Sequence, residues 1–271
     1  MKKISIISLI LLLANACTGL TTGSGTGTDS CTVAVLNFDS LTFHSHESLL
    51  PNGGSPCCDI DMNIIRAVGD DSLTAKVNAA LVQFLFNKTD VSIETAFKVY
   101  TDSLQEVSRA DMKEFYRPDD EDLFQFDYDY QLTSELAENT RPDIMGYCRK
   151  YYEYTGGAHG SYFVCYANVD LRSGKILTVD DVFVEEKQSD ILQLLMKQLM
   201  ADNECESINE LRENTGLTML GDLFLSDHNF LLTTGGIDFI YNQYEIAAYA
   251  CGITTIHLTY EQLAGMVKIG K

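Results

Sequence analysis

Two tight chain reversals lie close together in the middle of the sequence. The first is centred on Gly156 and Gly157, and the second spans residues 172–175. Aromatic and β-branched residues, which favour extended backbone, flank both reversals. Adjacent glycines adopt positive φ without steric cost, so the chain can turn back on itself at residues 155–158. The sequence therefore predicts three consecutive antiparallel strands that end before Asp180.

Hydrophobic periodicity predicts further elements on both sides of these strands. Strict alternation of apolar and polar residues over 124–132 indicates a strand with one wet face. Apolar residues at helical spacing indicate helices over 73–84, 92–115 and 189–200, with a closing helix at 260–267. Because strands and helices are grouped rather than strictly alternating, the predicted fold class is α+β.

The 271 residues are expected to form two closely associated subdomains. The N-terminal α+β subdomain spans residues 31–185 and contains the glycine hairpin, and the C-terminal α+β subdomain spans residues 186–271. In each, antiparallel sheets are expected to pack against a few amphipathic helices. Hydrophobic residues make up 45% of the chain, which is enough for a substantial core.

The N-terminus has the pattern of an exported lipoprotein. Residues 1–16 combine two lysines, an apolar run too short to span a bilayer and a small-residue cleavage site, as in a secretory signal peptide. Leu13–Cys17 resembles a lipobox, so we expect Cys17 to be the lipidated first residue of the mature chain. Residues 17–30 are rich in Gly, Ser and Thr, which is typical of a flexible linker.

The expected location is the cell envelope. Thr18 follows the cysteine at the position where an aspartate would resemble an inner-membrane retention signal. We therefore expect an outer-membrane anchor, with the folded part facing the periplasm or the cell surface. No other stretch of the sequence is long enough to span a bilayer, so the lipid is the only expected membrane contact.

The chain is strongly acidic. Its formal net charge is −20, and loss of Lys2 and Lys3 with the signal peptide would leave −22. Such a surface repels nucleic acid and anionic lipid headgroups, and it attracts cationic partners. The alternative is that the charge serves solubility alone.

Two blocks of motifs resemble a bacterial envelope family, and together they cover roughly residues 40–268. The first block comprises Tyr154–Gly160, Asn168–Asp170, Ser173–Lys175 and Asp180–Phe183, and the second comprises Gly236–Ala247, Ala250, Gly252 and Ile256–Leu263. The family that the chain resembles includes the extracellular part of RsiV, a lysozyme-sensing anti-sigma factor, and the non-catalytic accessory domain of the peptidoglycan deacetylase PdaC.

The resemblance implies a recognition module without catalytic residues, cofactor or metal. Its expected partner is a cationic envelope-directed protein such as lysozyme, or peptidoglycan fragments. Because this sequence has no transmembrane helix and no cytoplasmic anti-sigma segment, such binding would serve inhibition or capture. The alternative from a different class is a hydrolase that acts on peptidoglycan or its sugars, with His159 near the site.

The glycine hairpin supplies the first set of candidate binding residues. They are Tyr152, Tyr154, Gly156, Gly157 and His159. Exposed tyrosines beside a turn suit glycan or protein binding. A histidine beside flexible glycines could act as a base or a donor, but no nucleophile is tied to it by a motif. A structural role for His159, in hydrogen bonding to the turn, remains the alternative.

An acidic run supplies the second set of candidates, Asp119, Asp120, Glu121 and Asp122. These carboxylates could bind a basic partner or calcium. The spacing lacks the Asp-x-Asp-x-Asp-Gly pattern of an EF-hand loop, so a solvated acidic loop is the alternative.

A strand pattern before residue 50 places His44 and His46 on one face, at a spacing compatible with metal ligation. Cys57 and Cys58 could lie across the following hairpin. The spacing only loosely resembles a zinc signature, so we expect no metal site.

Eight cysteines in an exported chain make disulfides plausible. If Tyr154 lies opposite His159 across the glycine loop, Cys148 lies opposite Cys165 on the adjacent strand. Cysteines directly opposite each other can form a disulfide after a small adjustment of the backbone, so Cys148 and Cys165 are a candidate disulfide pair.

Overall fold

The computed structural model describes residues 7–8, 36–51, 53–115, 127–218, 221 and 223–268. Cys17, the linker over residues 17–30 and most of the predicted signal peptide lie outside these ranges. In the described part of the chain, no helix combines the length and the hydropathy that a membrane span requires.

The larger of two sheets is the framework of the N-terminal subdomain. Its strands β1 to β6 are hydrogen-bonded in chain order: Ile7–Ser8, Asn37–Ser48, Cys57–Val68, Tyr128–Leu136, Ile144–Tyr154 and Ser161–Asp170. Neighbouring strands are antiparallel except for the parallel pair β3 and β4. A parallel pair needs a long crossover, which here contains α1 (Ser72–Phe86) and α2 (Ile93–Phe115). Because β1 lies inside the predicted signal peptide, cleavage would leave β2 as the edge strand.

Helices α1 and α2 pack against one side of this sheet. The carboxylate of Asp71 begins α1, since it accepts hydrogen bonds from the N–H groups of Leu73 and Thr74 at 2.9 and 3.0 Å. Alternate residues of the strands meet the apolar helix faces in the first core, which includes Ile60, Met62, Ile64, Val77, Leu81, Leu132 and Tyr147. The residues in between, on β2 and β3, are polar and mostly exposed on the other side of the sheet.

The C-terminal subdomain contains a three-stranded antiparallel sheet of β7 (Phe230–Leu232), β8 (Gly236–Tyr241) and β9 (Thr254–Thr259). Its helices are α3 (Val179–Val182), α4 (Gln188–Asp202) and α5 (Ile208–Thr215), with single 3₁₀ turns at Glu185–Lys187 and Tyr249–Cys251. Helix α3 precedes the predicted boundary at residue 185, but Val182 and Phe183 pack in the second core. At the centre of the second core, the ring of Phe183 lies 5.3 Å from Phe230 and 5.9 Å from Phe239. The predicted α+β class, in two subdomains, is confirmed.

Two predicted elements take other forms. The third central strand is reduced to one bridge at Ile176, because Thr178 and Asp181 form a capping box that begins α3. The predicted closing helix at residues 260–267 is a series of turns. Within it Gly265 has φ of +77°, which lies outside the helical region.

The structure corrects the register of the central hairpin. Cys148 lies opposite Tyr166, and Cys165 lies opposite Arg149. The two cysteines are therefore offset by one position and project from opposite faces of the sheet. The predicted adjacency of their thiols is wrong, and both are free in the structure. The last residues paired between β5 and β6 are Glu153 and Ser161, so an odd number of residues, 154–160, lies between them. The prediction assumed an even number of residues in this loop.

Two buried asparagines join the subdomains. The side chain of Asn168 on β6 accepts a hydrogen bond from the N–H of Leu232 at 2.8 Å and donates to the carbonyl of Phe230 at 2.9 Å. Asn242, just after β8, accepts from the N–H of Val164 at 2.7 Å and donates to its carbonyl at 3.0 Å. Each amide thus pairs with the backbone of the other subdomain, so the contact between them is directional.

Candidate functional site

Two adjacent rows of side chains cross the open face of the large sheet. Each row takes one residue from β2, β3, β4 and β5, in register: His46, Asp59, Asp129 and Tyr154 in the first, and His44, Asp61, Gln131 and Tyr152 in the second. The rows form because each strand alternates, with apolar residues in the first core and polar residues on the open face.

Each histidine of the rows faces an aspartate across β2 and β3. Nδ1 of His46 lies 2.6 Å from Oδ1 of Asp59, and Nδ1 of His44 lies 3.1 Å from Oδ1 of Asp61. All four side chains are exposed. The hydrogen bond with Asp59 and its negative charge raise the pKa of His46, so this imidazole keeps its proton to a higher pH than an isolated one.

An open groove of about 760 Å³ lies over the rows. We call this groove the acidic groove. Its polar lining comprises both rows except Tyr152, together with Ser45 and Asp127. The lining holds four carboxylates and, among the residues that the structure describes, no lysine or arginine. Burial and the negative charges of Asp59 and Asp61 raise the pKa of Asp129. The groove therefore favours a cationic ligand.

Hydrogen bonds hold two groove aspartates in place: Asp127, just before β4, and Asp129 on β4. Oδ1 of Asp127 accepts from the N–H of Cys57 at 2.7 Å and from the hydroxyl of Ser55 at 3.1 Å. Nε2 of Gln131 lies 3.3 and 3.0 Å from the two carboxylate oxygens of Asp129 and donates to them. A site arranged before the ligand arrives loses less entropy on binding.

The histidines meet aspartates rather than cysteines. Cys58 lies opposite Glu47 and donates its thiol to Oγ of Ser108 at 3.4 Å in the first core, on the other side of the sheet. Within the described ranges, no group of three or more His, Cys, Asp and Glu side chains has the arrangement of a metal site.

The glycine loop between β5 and β6 positions the two predicted tyrosines. Gly156 and Gly157 have φ of +107° and +93°, values that other residues rarely adopt. The hydroxyl of Tyr154 donates to the carbonyl of Gly157 at 3.0 Å. Gly160 lies against Tyr152, and a Cβ there would come within 2.4–2.5 Å of the ring and its hydroxyl. The loop sequence therefore sets where both phenol rings lie.

His159 contacts two tyrosines of the C-terminal subdomain. Its ring stacks on Tyr249, with centroids 3.8 Å apart and planes inclined by 19°. Nδ1 lies 3.0 Å from the carbonyl oxygen of Gly160, and Nε2 lies 3.3 Å from the hydroxyl of Tyr244. A neutral ring protonated at Nδ1 satisfies both contacts, since Nδ1–H donates to the carbonyl and Nε2 accepts from Tyr244.

Sequence reasoning missed Tyr244 and Tyr249. Tyr244 is 57% exposed and has φ of +67°, which is uncommon for a bulky residue. Its place in the second motif block was the one sequence signal for a role in the site. Its partner His159 is 85 positions away, so their contact could not be read from the sequence. We call the following residues the aromatic cluster: Tyr152, Tyr154, His159, Tyr244 and Tyr249.

The structure brings the hairpin candidates together but does not reach all predicted site residues. Asp119, Asp120, Glu121 and Asp122 lie outside the described residues. The partners of His159 are two tyrosines and a backbone carbonyl. In the described ranges they do not include the paired carboxylates that the hydrolase alternative requires.

Comparisons with known proteins match both halves of the chain. A family model described as a protein of unknown function, DUF3298, matches residues 180–261. A second model, described as deacetylase PdaC, matches residues 52–162. The comparison with curated proteins found no match. The two models together indicate an envelope-related domain of unknown function, and neither specifies the RsiV-like sensor, which stays a prediction.

Two solved structures extend the similarity over most of the chain. One is a DUF3298 family member from Bacteroides fragilis, with 27% identity and a TM-score of 0.75, covering 86% of this chain and 94% of that one. The other is a DUF3298 family protein from Pseudomonas aeruginosa, with 18% identity and a TM-score of 0.56, covering 84% and 94%. The chain is therefore similar in fold to DUF3298 proteins across both of its subdomains.

Proposed function

We propose that this chain is an envelope recognition module that captures a cationic, lysozyme-like protein through the acidic groove. The observation that carries the proposal is that four groove carboxylates outnumber the two histidines, with no lysine or arginine among the described lining residues. A lysine or arginine of the partner would reach Asp59 and Asp61, which are exposed. The net charge of −20 acts at longer range and speeds encounter.

The aromatic cluster would supply the specificity that charge alone does not provide. Tyr154 lines the acidic groove and belongs to the cluster, so the two surfaces are continuous. Tyrosine buries a large area at low entropic cost, which is why it is enriched in protein interfaces. The exposed ring of Tyr244 is the expected anchor, and it could also stack against a guanidinium group.

Peptidoglycan fragments are the second candidate ligand. The stacked rings of His159 and Tyr249, beside the exposed Tyr244, offer a flat aromatic surface next to a polar groove. Sugar rings could pack on that surface while their hydroxyl groups bond to the groove. Amino sugars without acetyl groups carry ammonium groups and would suit the carboxylates. The match to the PdaC model is consistent with this ligand class.

Neutralising Asp59 and Asp61 is expected to weaken lysozyme binding about tenfold or more at physiological salt. The double variant Asp59→Asn with Asp61→Asn keeps the side-chain shapes and removes two charges from the groove. Calorimetric titration of lysozyme into the purified protein, at low and at physiological salt, measures the affinity. The same titration with soluble peptidoglycan fragments tests the second candidate.

A matched control is Glu185→Gln with Glu186→Gln, which removes two exposed charges far from the groove in the sequence. If both double variants lose affinity equally and binding disappears at physiological salt, the attraction is nonspecific ion exchange. If neither ligand gives saturable heat, the acidic groove is not a site for either of them.

We further propose that Cys17 anchors the protein to the outer membrane through a lipid. The lipobox at Leu13–Cys17 supports this. Cys17→Ala is expected to move nearly all of the protein from the membrane fraction to the soluble fraction, because no other anchor is predicted. Fractionation followed by immunoblotting measures this, with Cys31→Ala as the control. Unchanged membrane attachment of the Cys17 variant would contradict the anchor.

A further inference from the structure

A second cavity, of about 310 Å³, lies on the helix-covered side of the large sheet, opposite the acidic groove. It is enclosed by the end of α1, by α2 and by β4 and β5. Its walls are largely apolar and aromatic: Phe84, Leu85, Phe86, Tyr100, Leu132 and Tyr151. Asn87 and Arg149 complete the lining. Apolar walls with few polar groups, at this volume, are typical of sites for small molecules.

Arg149 is the cation of this cavity, and its partners in the described part of the chain are uncharged. Nη1 donates to the carbonyl of Phe84 at 3.3 Å, and Nη2 lies 3.5 Å from Sγ of Cys165. The guanidinium carbon lies 5.4 Å from the centroid of the Phe84 ring. Nε is buried and has no hydrogen-bond partner among the described residues.

Four other arginines of the described residues, at positions 66, 109, 141 and 172, pair with carboxylates. Arg66 pairs with Asp39 at 2.7 Å, and Arg141 pairs with Asp143 at 3.2 Å. In a chain of net charge −20, a half-buried arginine held only by neutral groups is unusual. An anion that enters the cavity would supply the negative partner that this guanidinium group lacks.

We propose that this cavity binds a small organic carboxylate with a compact aliphatic or aromatic body. The carboxylate accepts hydrogen bonds from N–H groups of the Arg149 guanidinium, which lines the cavity and has no carboxylate partner among the described residues. The apolar body packs against Phe86 and Leu132. A single negative charge fits better than a phosphate dianion, because one guanidinium is present and the negative C-terminal end of α1 lies beside it.

A purely structural role for Arg149 makes a different prediction. Its bond to the carbonyl of Phe84 lies at the C-terminal end of α1, where a cation stabilises the helix. In that case the arginine would contribute to stability, but carboxylates would not bind. The two roles are therefore separated by ligand affinity rather than by stability.

The test uses cyclohexanecarboxylate as the probe and cyclohexanecarboxamide as its uncharged counterpart of the same shape. Ligand-detected NMR titration of the purified protein is expected to show saturable binding of the acid in the millimolar range or tighter. The amide is expected to bind at least tenfold more weakly. Nuclear Overhauser effects from the cyclohexyl protons to the rings of Tyr100 and Tyr151 would locate the acid in the cavity.

Arg149→Met is expected to weaken binding of the acid at least tenfold, because it keeps the apolar stem and removes the donors. Arg212→Met, on exposed α5, changes the net charge equally and is expected to leave the affinity unchanged. If Arg149→Met does not fold, the comparison of acid and amide with the wild-type protein, together with the Overhauser contacts, decides. Equal binding of acid and amide, contacts to other residues, or no saturable binding of the acid would overturn the proposal.

Discussion

Asn168→Ala is expected to lower the free energy of unfolding by about 2–5 kcal/mol. The Asn168 amide is fully buried and bonds to the N–H of Leu232 and to the carbonyl of Phe230. Alanine would leave both backbone groups buried without a partner, and each such group costs about 1–3 kcal/mol. Because β6 and β7 belong to different subdomains, the loss falls on the contact that joins them.

Urea unfolding followed by circular dichroism measures this change. The control is Asn209→Ala on α5, an exposed position where the same substitution is expected to change stability by less than about 0.5 kcal/mol. If Asn168→Ala were as stable as this control, the Asn168 side chain would not be what holds β6 against β7.

The exposed residues of each strand in the acidic groove could be predicted, but their assembly could not. Period-two alternation places His44 with His46 on one face of β2, and Asp129 with Gln131 on the wet face of β4. Their alignment into rows depends on the parallel register of β3 and β4. Two helices separate these strands in sequence, so no local turn fixes that register.

The cysteine pairing shows how sensitive a register is to the loop. Moving the centre of the glycine hairpin by half a residue changes the partner of Cys148 from Cys165 to Tyr166. In a sheet, such a one-residue offset transfers the side chain to the opposite face. The composition of the loop indicates that the chain turns there, but the number of unpaired residues in the loop decides which residues of β5 and β6 lie opposite each other.

The aromatic cluster depends on contacts between the subdomains. Asn242 binds the backbone of Val164 on β6, and this brings the following turn, with Tyr244, to the glycine loop. A sequence pattern marks the two segments separately, but it does not show that they touch. For the same reason the pairing of His159 with Tyr249 could not be predicted from either segment alone.

Gly236→Ala is expected to destabilise the protein by about 3 kcal/mol or more. Gly236 begins β8 and lies opposite Thr259 on β9. A Cβ at this position would come within 2.2 Å of the carbonyl oxygen of Leu258 and 2.8 Å of Cα of Thr259. Both are backbone atoms, so no change of rotamer relieves the overlap and the strands must separate. Overpacking of this kind costs about 1–3 kcal/mol where side chains can adjust, and more where they cannot.

The neighbouring glycine provides a control that differs by one position. A Cβ on Gly235 would meet no atom within 4 Å, and its backbone lies outside the left-handed region. Gly235→Ala is therefore expected to be neutral or to stabilise the protein by about 0.4–1 kcal/mol, since alanine restricts the unfolded chain. Thermal unfolding of both variants measures the difference. If both variants had the same thermal stability, the close approach of β9 would not explain the glycine at position 236. A loss of stability confined to Gly236→Ala would show that the pairing of β8 with β9 requires a glycine at this motif position.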